Sequence, residues 1–257
     1  MITLKTADQT TKMRAAGLVV SEMLARTREA VRPGITTLDL DRIAAEVIAR
    51  HGAKSSFLGY YGYPATICTS VNEEIVHGIP SKRVLREGDI IGIDAGAIVD
   101  EWHADAAITV PVGKISAEAA KLIAVTEEAL RRGIAAARVG GRLGDIGAAV
   151  QRYAEGEGFS VVRNYVGHGI GRAMHEEPQV PNYGAPERGI PIREGLCIAI
   201  EPMLNAGRPE TRTLKDDWTV VTADTSLSAH FEHTIWCTDK GPVVLTAPAS
   251  GRVSVAA

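Results

Sequence analysis

The segment REGDIIGID, from Arg86 to Asp94, returns 107 positions later as REGLCIAIE, from Arg193 to Glu201. Each copy opens on a charged turn around a Gly, continues as an apolar run of strand length, and ends in a carboxylate. The same order of elements precedes both copies. Residues 7 to 31 place Met13, Gly17, Val20 and Leu24 at helical spacing, and the pattern stops at Pro33-Gly34. A second helix carries Leu40, Ile43, Ala44, Val47 and Ile48 on one face before Gly52 closes it. Moved by 106 positions, that face lands on Ile146, Ala149, Val150, Tyr153 and Ala154, in a helix ending at Gly158. Another helix, from Ser116 to about Arg138, precedes it, with a break at Gly140-Gly141. Short apolar runs at 66–71, 89–98 and 104–112 read as strands. The expected fold class is α/β (α+β), with two helix-helix-strand halves, about 7–112 and 116–240, related by a pseudo-twofold axis. Helices would pack outside a curved, largely antiparallel sheet, and the axis would bring Asp94 and Glu201 together.

The 257 residues are 45% hydrophobic, which supplies a substantial core. A formal net charge of -3, from 28 basic and 31 acidic residues dispersed without a basic stripe, argues against nucleic acid as a specific partner. Near the start, Lys5, Asp8, Lys12 and Arg14 interrupt the apolar residues, so the core of a secretory signal is missing. No run approaches the roughly 20 apolar residues that cross a bilayer. Cys68, Cys197 and Cys237 form an odd set without a CxxC pair, which suits neither a disulfide framework nor a cysteine zinc site. A cytoplasmic protein with no membrane partner is expected.

Strands mostly bury apolar side chains, yet Asp94 in IIGIDAGAI, Asp105 in WHADAAITV, Glu201 in IAIEPML and Glu232 in HFEHTIW place ionisable groups there. A hairpin turning near Val99-Asp100 would set Asp94 and Asp105 opposite one another. Two carboxylates at that distance repel unless a cation lies between them. Pro202 biases Glu201 toward extended geometry, and His168, in the glycine-flanked YVGHGIG, offers a neutral nitrogen. These carboxylates and one imidazole form an oxygen-rich donor set for two divalent ions. Mn(II), Fe(II) or Co(II) fit it better than structural zinc.

The segments resemble the type I methionine aminopeptidases over nearly the whole chain. The matching motifs are GYYGYPATICTSVNEEIVHGIP from Gly59, the Asp94 and Asp105 pair, YVGHGIGRAMHEEPQV from Tyr165, IEPMLNAG from Ile200, KDDWTV from Lys215 and SLSAHFEHTI from Ser226. The resemblance implies the pita-bread fold and a single catalytic aminopeptidase domain over 1–257. It implies hydrolytic removal of the N-terminal methionine from nascent proteins and peptides with a small second residue. Asp105 and Glu232 would bridge two metal ions, Asp94 would hold one of them, and His168 and Glu201 the other. A hydroxide bridging the ions would attack the first peptide carbonyl, with Glu201 taking the proton. His77 would contact substrate near the scissile bond, and His175 would stabilise the oxyanion. Tyr60, Tyr63, Cys68 and Trp218, with Phe57 and Met174 nearby, would form the methionine pocket.

Some positions depart from the family pattern. Phe57 stands where relatives often carry a small residue or Cys, Met174 where Phe is frequent, and Ala106 where Thr is common; the last would alter a hydrogen bond behind Asp105. The chain begins almost directly at the catalytic part, which is the bacterial style. Family habit implies a monomer working near the ribosome exit. Three other readings compete, one of them a relative of the same fold such as creatinase, which would not retain the five metal ligands. A proline-directed peptidase of the same fold would carry a large additional N-terminal domain, and a non-catalytic peptide- or ribosome-binding module would have lost metal ligands.

Overall fold

The computed structural model describes residues 2–249; Met1 and residues 250–257, which belong to the expected 1–257 domain, lie outside the described residues. Helix α1 (Ala7–Ala30) starts at a capping box in which the Thr6 and Gln9 side chains each satisfy the other's backbone amide. It buries Met13, Gly17, Val20 and Leu24, the expected stripe. Helix α2 (Thr37–Arg50) is capped by the same device, Thr36 with Asp39, and buries Leu40, Ala44 and Val47 while Ile43 and Ile48 are partly buried. Leu40 is fully enclosed, so its loss to Ala would cost about 2–5 kcal/mol.

Helices α3 (Ala117–Ala136) and α4 (Leu143–Gly156) repeat the pair. The bounds of α4 follow those of α2 by 106 residues, as do those of the short strand Ser160–Val161 after Lys54–Ser55. The repeat therefore extends beyond the segments whose sequences match. On α1, Gly17 allows the closest approach: a Cβ there would lie 2.1 Å from the Leu245 carbonyl oxygen.

The main sheet runs in the order Lys54–Ser55, Ile90–Val99, Trp102–Pro111, Glu232–Thr238, Cys197–Ile200, Gly167–Gly169 and Glu176–Val180. Ile67–Val71 also pairs with Ile90–Val99, and Gly241–Val244 with Glu232–Thr238; every pairing is antiparallel. The two halves meet where Glu232 pairs with Ala107 and His233 with Ala106. Two small three-stranded sheets flank this one. The helices cover one face, where α1 and α2 enclose Ile67, Ile91, Ile93, Ala104 and Ala106.

The hairpin differs from expectation in one respect. Its two-residue turn is Asp100-Glu101, both left-handed at φ 47° and 67°, so Val99 pairs with Trp102. Asp94 is therefore opposite Ala107, and Asp105 opposite Gly96. The partner of each carboxylate changes by two residues, an even number, so both stay on the same face as diagonal neighbours. Glu201 also lies one residue beyond its strand, Cys197–Ile200, rather than within it.

Candidate active site

Asp94, Ala107 and Glu232 form one row across three strands, with Asp105 one pleat away on the same face. Ala107 is small enough to leave space between the carboxylates. Donor atoms of Asp105, His168 and Glu232 all lie within 4.8 Å of one another. Asp94 adjoins Asp105 closely enough for their carboxyls to hydrogen-bond, and Glu201 Oε1 is 3.6 Å from His168 Nε2. The trio thus has one further carboxylate on each side.

These acids sit in a setting hostile to charge. Burial pushes Asp94 up to about 7 and raises Asp105, Glu201 and Glu232 well above the usual carboxylate range. Mutual repulsion adds to burial: Glu232 and Asp94 act on Asp105, and Asp105 and Asp94 act on Glu201. Buried oxygens Asp94 Oδ1, Asp105 Oδ1 and Glu232 Oε1 have no hydrogen-bond partner among the described residues. Unpaired acceptors facing each other are what a divalent cation satisfies, so this donor set fits the metal that the sequence implied.

His168 is prepared for the same task. Its Nδ1 is 2.9 Å from the Gly169 carbonyl, which can only accept, so Nδ1 carries the proton and Nε2 keeps its lone pair toward the acids. Burial, then the nearby His175, lowers its pKa to about 3, which keeps it neutral and able to ligate.

The Asp105 backbone is fixed from the neighbouring strand. Its amide donates to Thr234 Oγ1 at 2.9 Å, and that hydroxyl donates to the Asp105 carbonyl at 2.8 Å. Thr109 does the same for His230, at 2.9 and 2.8 Å. Ala106, where the sequence suggested a lost hydrogen bond behind Asp105, belongs to the core under α1 on the other face.

A cavity of roughly 430 Å3 opens over the acids. All residues proposed from the sequence line it: Phe57, Tyr60, Tyr63, Cys68, His77, Asp94 and Asp105 from the first half, His168, Met174, His175, Glu201, Trp218 and Glu232 from the second. Cys68 is the ladder partner of Asp94, so the apolar wall and the acidic floor occupy adjacent strands. The Tyr63 hydroxyl donates to the Ile67 and Gly78 carbonyls at 3.1 and 3.0 Å, which leaves its ring as an apolar surface. That ring meets Trp218 edge-on at 5.0 Å and Phe57 at 6.5 Å. Burial and the nearby Asp94 raise the Cys68 thiol, so it stays neutral. Phe57, Tyr63, Cys68 and Met174 are buried, which closes the apolar end.

At the other end, Tyr60 Oη is 2.7 Å from His175 Nδ1, and the His175 ring lies 4.2 Å from that of His168. His77 is left-handed at φ 61° and stands edge-on to Tyr165. The next residue must be Gly, because a Cβ on Gly78 would meet the Thr69 carbonyl oxygen at 2.1 Å. Sequence reasoning missed Tyr61, Val76, Tyr165, Val166 and Met203 of the lining. These five, like His230, Thr109 and Thr234, lay inside segments already quoted, but only strand register reveals the partners of the two threonines.

Comparison with known proteins agrees with this geometry. The family model "Metallopeptidase family M24" matches residues 11–239. A methionine aminopeptidase of Clostridium acetobutylicum is 52% identical over 247 residues, covering 96% of this chain and 99% of that protein. The crystal structure of methionine aminopeptidase from Rickettsia prowazekii superposes with a TM-score of 0.95 at 44% identity, covering 96% of this chain and 100% of that one. Prolidase from Pyrococcus furiosus, at 20% identity and a TM-score of 0.77, shares the fold; this chain covers 66% of it. The two-halved, curved-sheet architecture is thus the pita-bread fold, and the chain belongs to metallopeptidase family M24 and, within it, to the methionine aminopeptidases.

Proposed function

We propose that the cavity removes the N-terminal methionine from polypeptides, using two divalent ions held by Asp94, Asp105, His168, Glu201 and Glu232. The observation that carries this reading is the convergence of these donors beneath an apolar pocket with one closed end. In this reading Asp94, Asp105 and Glu232 would hold one ion, and His168 and Glu201 would join Asp105 and Glu232 in holding the other. Bound there, Mn(II), Fe(II) or Co(II) would supply Lewis acidity and lower the pKa of water.

The chain's own residues do the rest. Phe57, Tyr63, Cys68, Met174 and Trp218 accept an unbranched apolar side chain and exclude water, and the closed end admits only a chain terminus. Glu201 takes the proton of the attacking water. His175, with Tyr60 donating to its Nδ1, presents Nε2–H to the developing oxyanion. His77 contacts the substrate near the scissile bond, where a small second residue fits best. Nascent chains near the ribosome exit are the natural substrates, met by a monomer in the cytoplasm. The buried free thiols and the absence, among described residues, of any helix long and apolar enough to cross a membrane suit that setting. Calorimetric titration of chelated protein tests the metal assignment: two equivalents of Mn(II) should bind, and a single equivalent with full activity would contradict it.

A further inference from the structure

The geometry points to His230 as a further positioning residue of this site, whose Nε2–H holds Glu201 in the orientation in which it accepts a proton. The inference rests on the reading of Glu201 as proton acceptor. His230 is 3% exposed, and its Nε2 has no hydrogen-bond partner among the described residues. That nitrogen lies 4.0 Å from Glu201 Oε2 and 4.0 Å from Glu232 Oε2. Glu201 is thus flanked by two imidazoles, His168 toward Oε1 and His230 toward Oε2.

The two carboxylates near His230 differ in how they are already held. Glu232 begins a strand and is 2% exposed, so packing fixes it. Glu201 stands just past its strand, with its backbone carbonyl accepting from Asn182 Nδ2 at 3.0 Å but no hydrogen bond to its side-chain oxygens from the described residues. The terminal torsion of a glutamate is broad, so its carboxylate needs a partner to define one orientation. Rotation about that torsion can shorten 4.0 Å to a hydrogen bond, and such bonds are commonly long before substrate binds.

The backbone that carries this buried imidazole is fixed. Thr109 Oγ1 bonds both the amide and the carbonyl of His230, and Met203 pairs with it from the adjacent strand. The imidazole Nε2 faces the acceptor oxygens of Glu201 and Glu232 and no other partner among the described residues, so a donated N–H is what this nitrogen can offer them. Lone-pair duty toward the metal falls to His168, whose Nδ1 bond to Gly169 leaves Nε2 unprotonated.

The test compares His230→Ala, His230→Gln, Glu201→Gln and the double variant Glu201→Gln/His230→Ala with the parent protein. Hydrolysis of Met-Ala-Ser is measured beside Mn(II) affinity of the metal-free proteins. His230→Ala should lower kcat at saturating Mn(II) by on the order of 10-fold or more, with KM within about 2-fold, and, because Glu201 also holds metal, weaken Mn(II) binding by about 10- to 100-fold at most. His230→Gln keeps an N–H donor and should recover most of the loss. Removing His230 should change nothing further once Glu201 is Gln, because the two act as one unit. An unchanged kcat in His230→Ala, a loss Gln does not recover, or a loss that saturating Mn(II) restores would each overturn the inference. If Glu201→Gln is slow while His230→Ala is not, only the inference fails; if Glu201→Gln keeps full kcat, the reading of Glu201 fails first.

Discussion

Thr234 grips Asp105 by its backbone, accepting the amide and donating to the carbonyl through one hydroxyl. The contact crosses the seam where the two halves of the chain meet, beside the acids that must converge. Thr234→Val keeps the shape and removes both bonds. Mn(II) affinity of the metal-free protein should fall about 10- to 100-fold, the range seen when groups behind metal ligands are lost. Thr234→Ser should stay close to the parent. Equal affinity in all of them would show that the hydroxyl serves folding alone.

Glu201→Gln should lower kcat by roughly 100-fold or more, combining lost proton transfer with weaker ligation. The readout is steady-state hydrolysis of Met-Ala-Ser at saturating Mn(II). An unchanged kcat would remove Glu201 from the chemistry.

His175→Ala should reduce kcat more than it raises KM, since a contact made mainly in the transition state acts on the chemical step. Tyr60→Phe removes the hydroxyl at His175 Nδ1 and should move kcat in the same direction by a smaller factor. A change confined to KM in both variants would make the pair a substrate-binding element instead.

The acids make stability depend on pH in a sense set by their raised values. Unfolded, they titrate near 4; folded and metal-free, Asp94 titrates at about 7, with Asp105, Glu201 and Glu232 also raised by burial. Above about pH 4 these acids bind more protons in the folded metal-free chain than in the unfolded one, so their contribution to stability falls as pH rises through the folded values, while the buried histidines His77, His168, His230 and His233, lowered to about 3 or 4, act in the opposite sense below about pH 6.5. Divalent ions bind the deprotonated acids and offset that loss. The Tm of Mn(II)-loaded protein should exceed that of chelated protein by a gap that widens between about pH 5 and about pH 7.5. A gap independent of pH would contradict the assignment of these acids to the metal.

Periodicity carried most of the fold. The buried stripes of α1 and α2 and the 106-residue offset of α4 were legible because burial imposes helical spacing. The hairpin register was not, since turns at Val99-Asp100 and Asp100-Glu101 satisfy the same apolar alternation and only the left-handed pair at 100 and 101 decides. Asp94, Asp105, Glu201 and Glu232 stood out as acids in apolar runs, whereas the closeness of His168 to Glu201 depends on chain crossings that spacing does not encode. Thr109 and Thr234 were invisible for the same reason, being ordinary strand residues until their partners across the seam are known.

Metal-dependent excision of methionine can be read from a single peptide series. kcat/KM should be measured for Met-Ala-Ser, Met-Lys-Ser, Leu-Ala-Ser, N-acetyl-Met-Ala-Ser and an X-Pro peptide, with chelated and Mn(II)-restored protein. Chelated protein should show no turnover and, once metal is restored, Met-Ala-Ser alone should be cleaved efficiently. Discrimination against a large second side chain should exceed the roughly 10- to 200-fold that one methylene provides. Full turnover by rigorously metal-free protein, equal cleavage of Met-Ala-Ser and Met-Lys-Ser, or a preference for the X-Pro peptide would contradict metal-dependent excision of methionine.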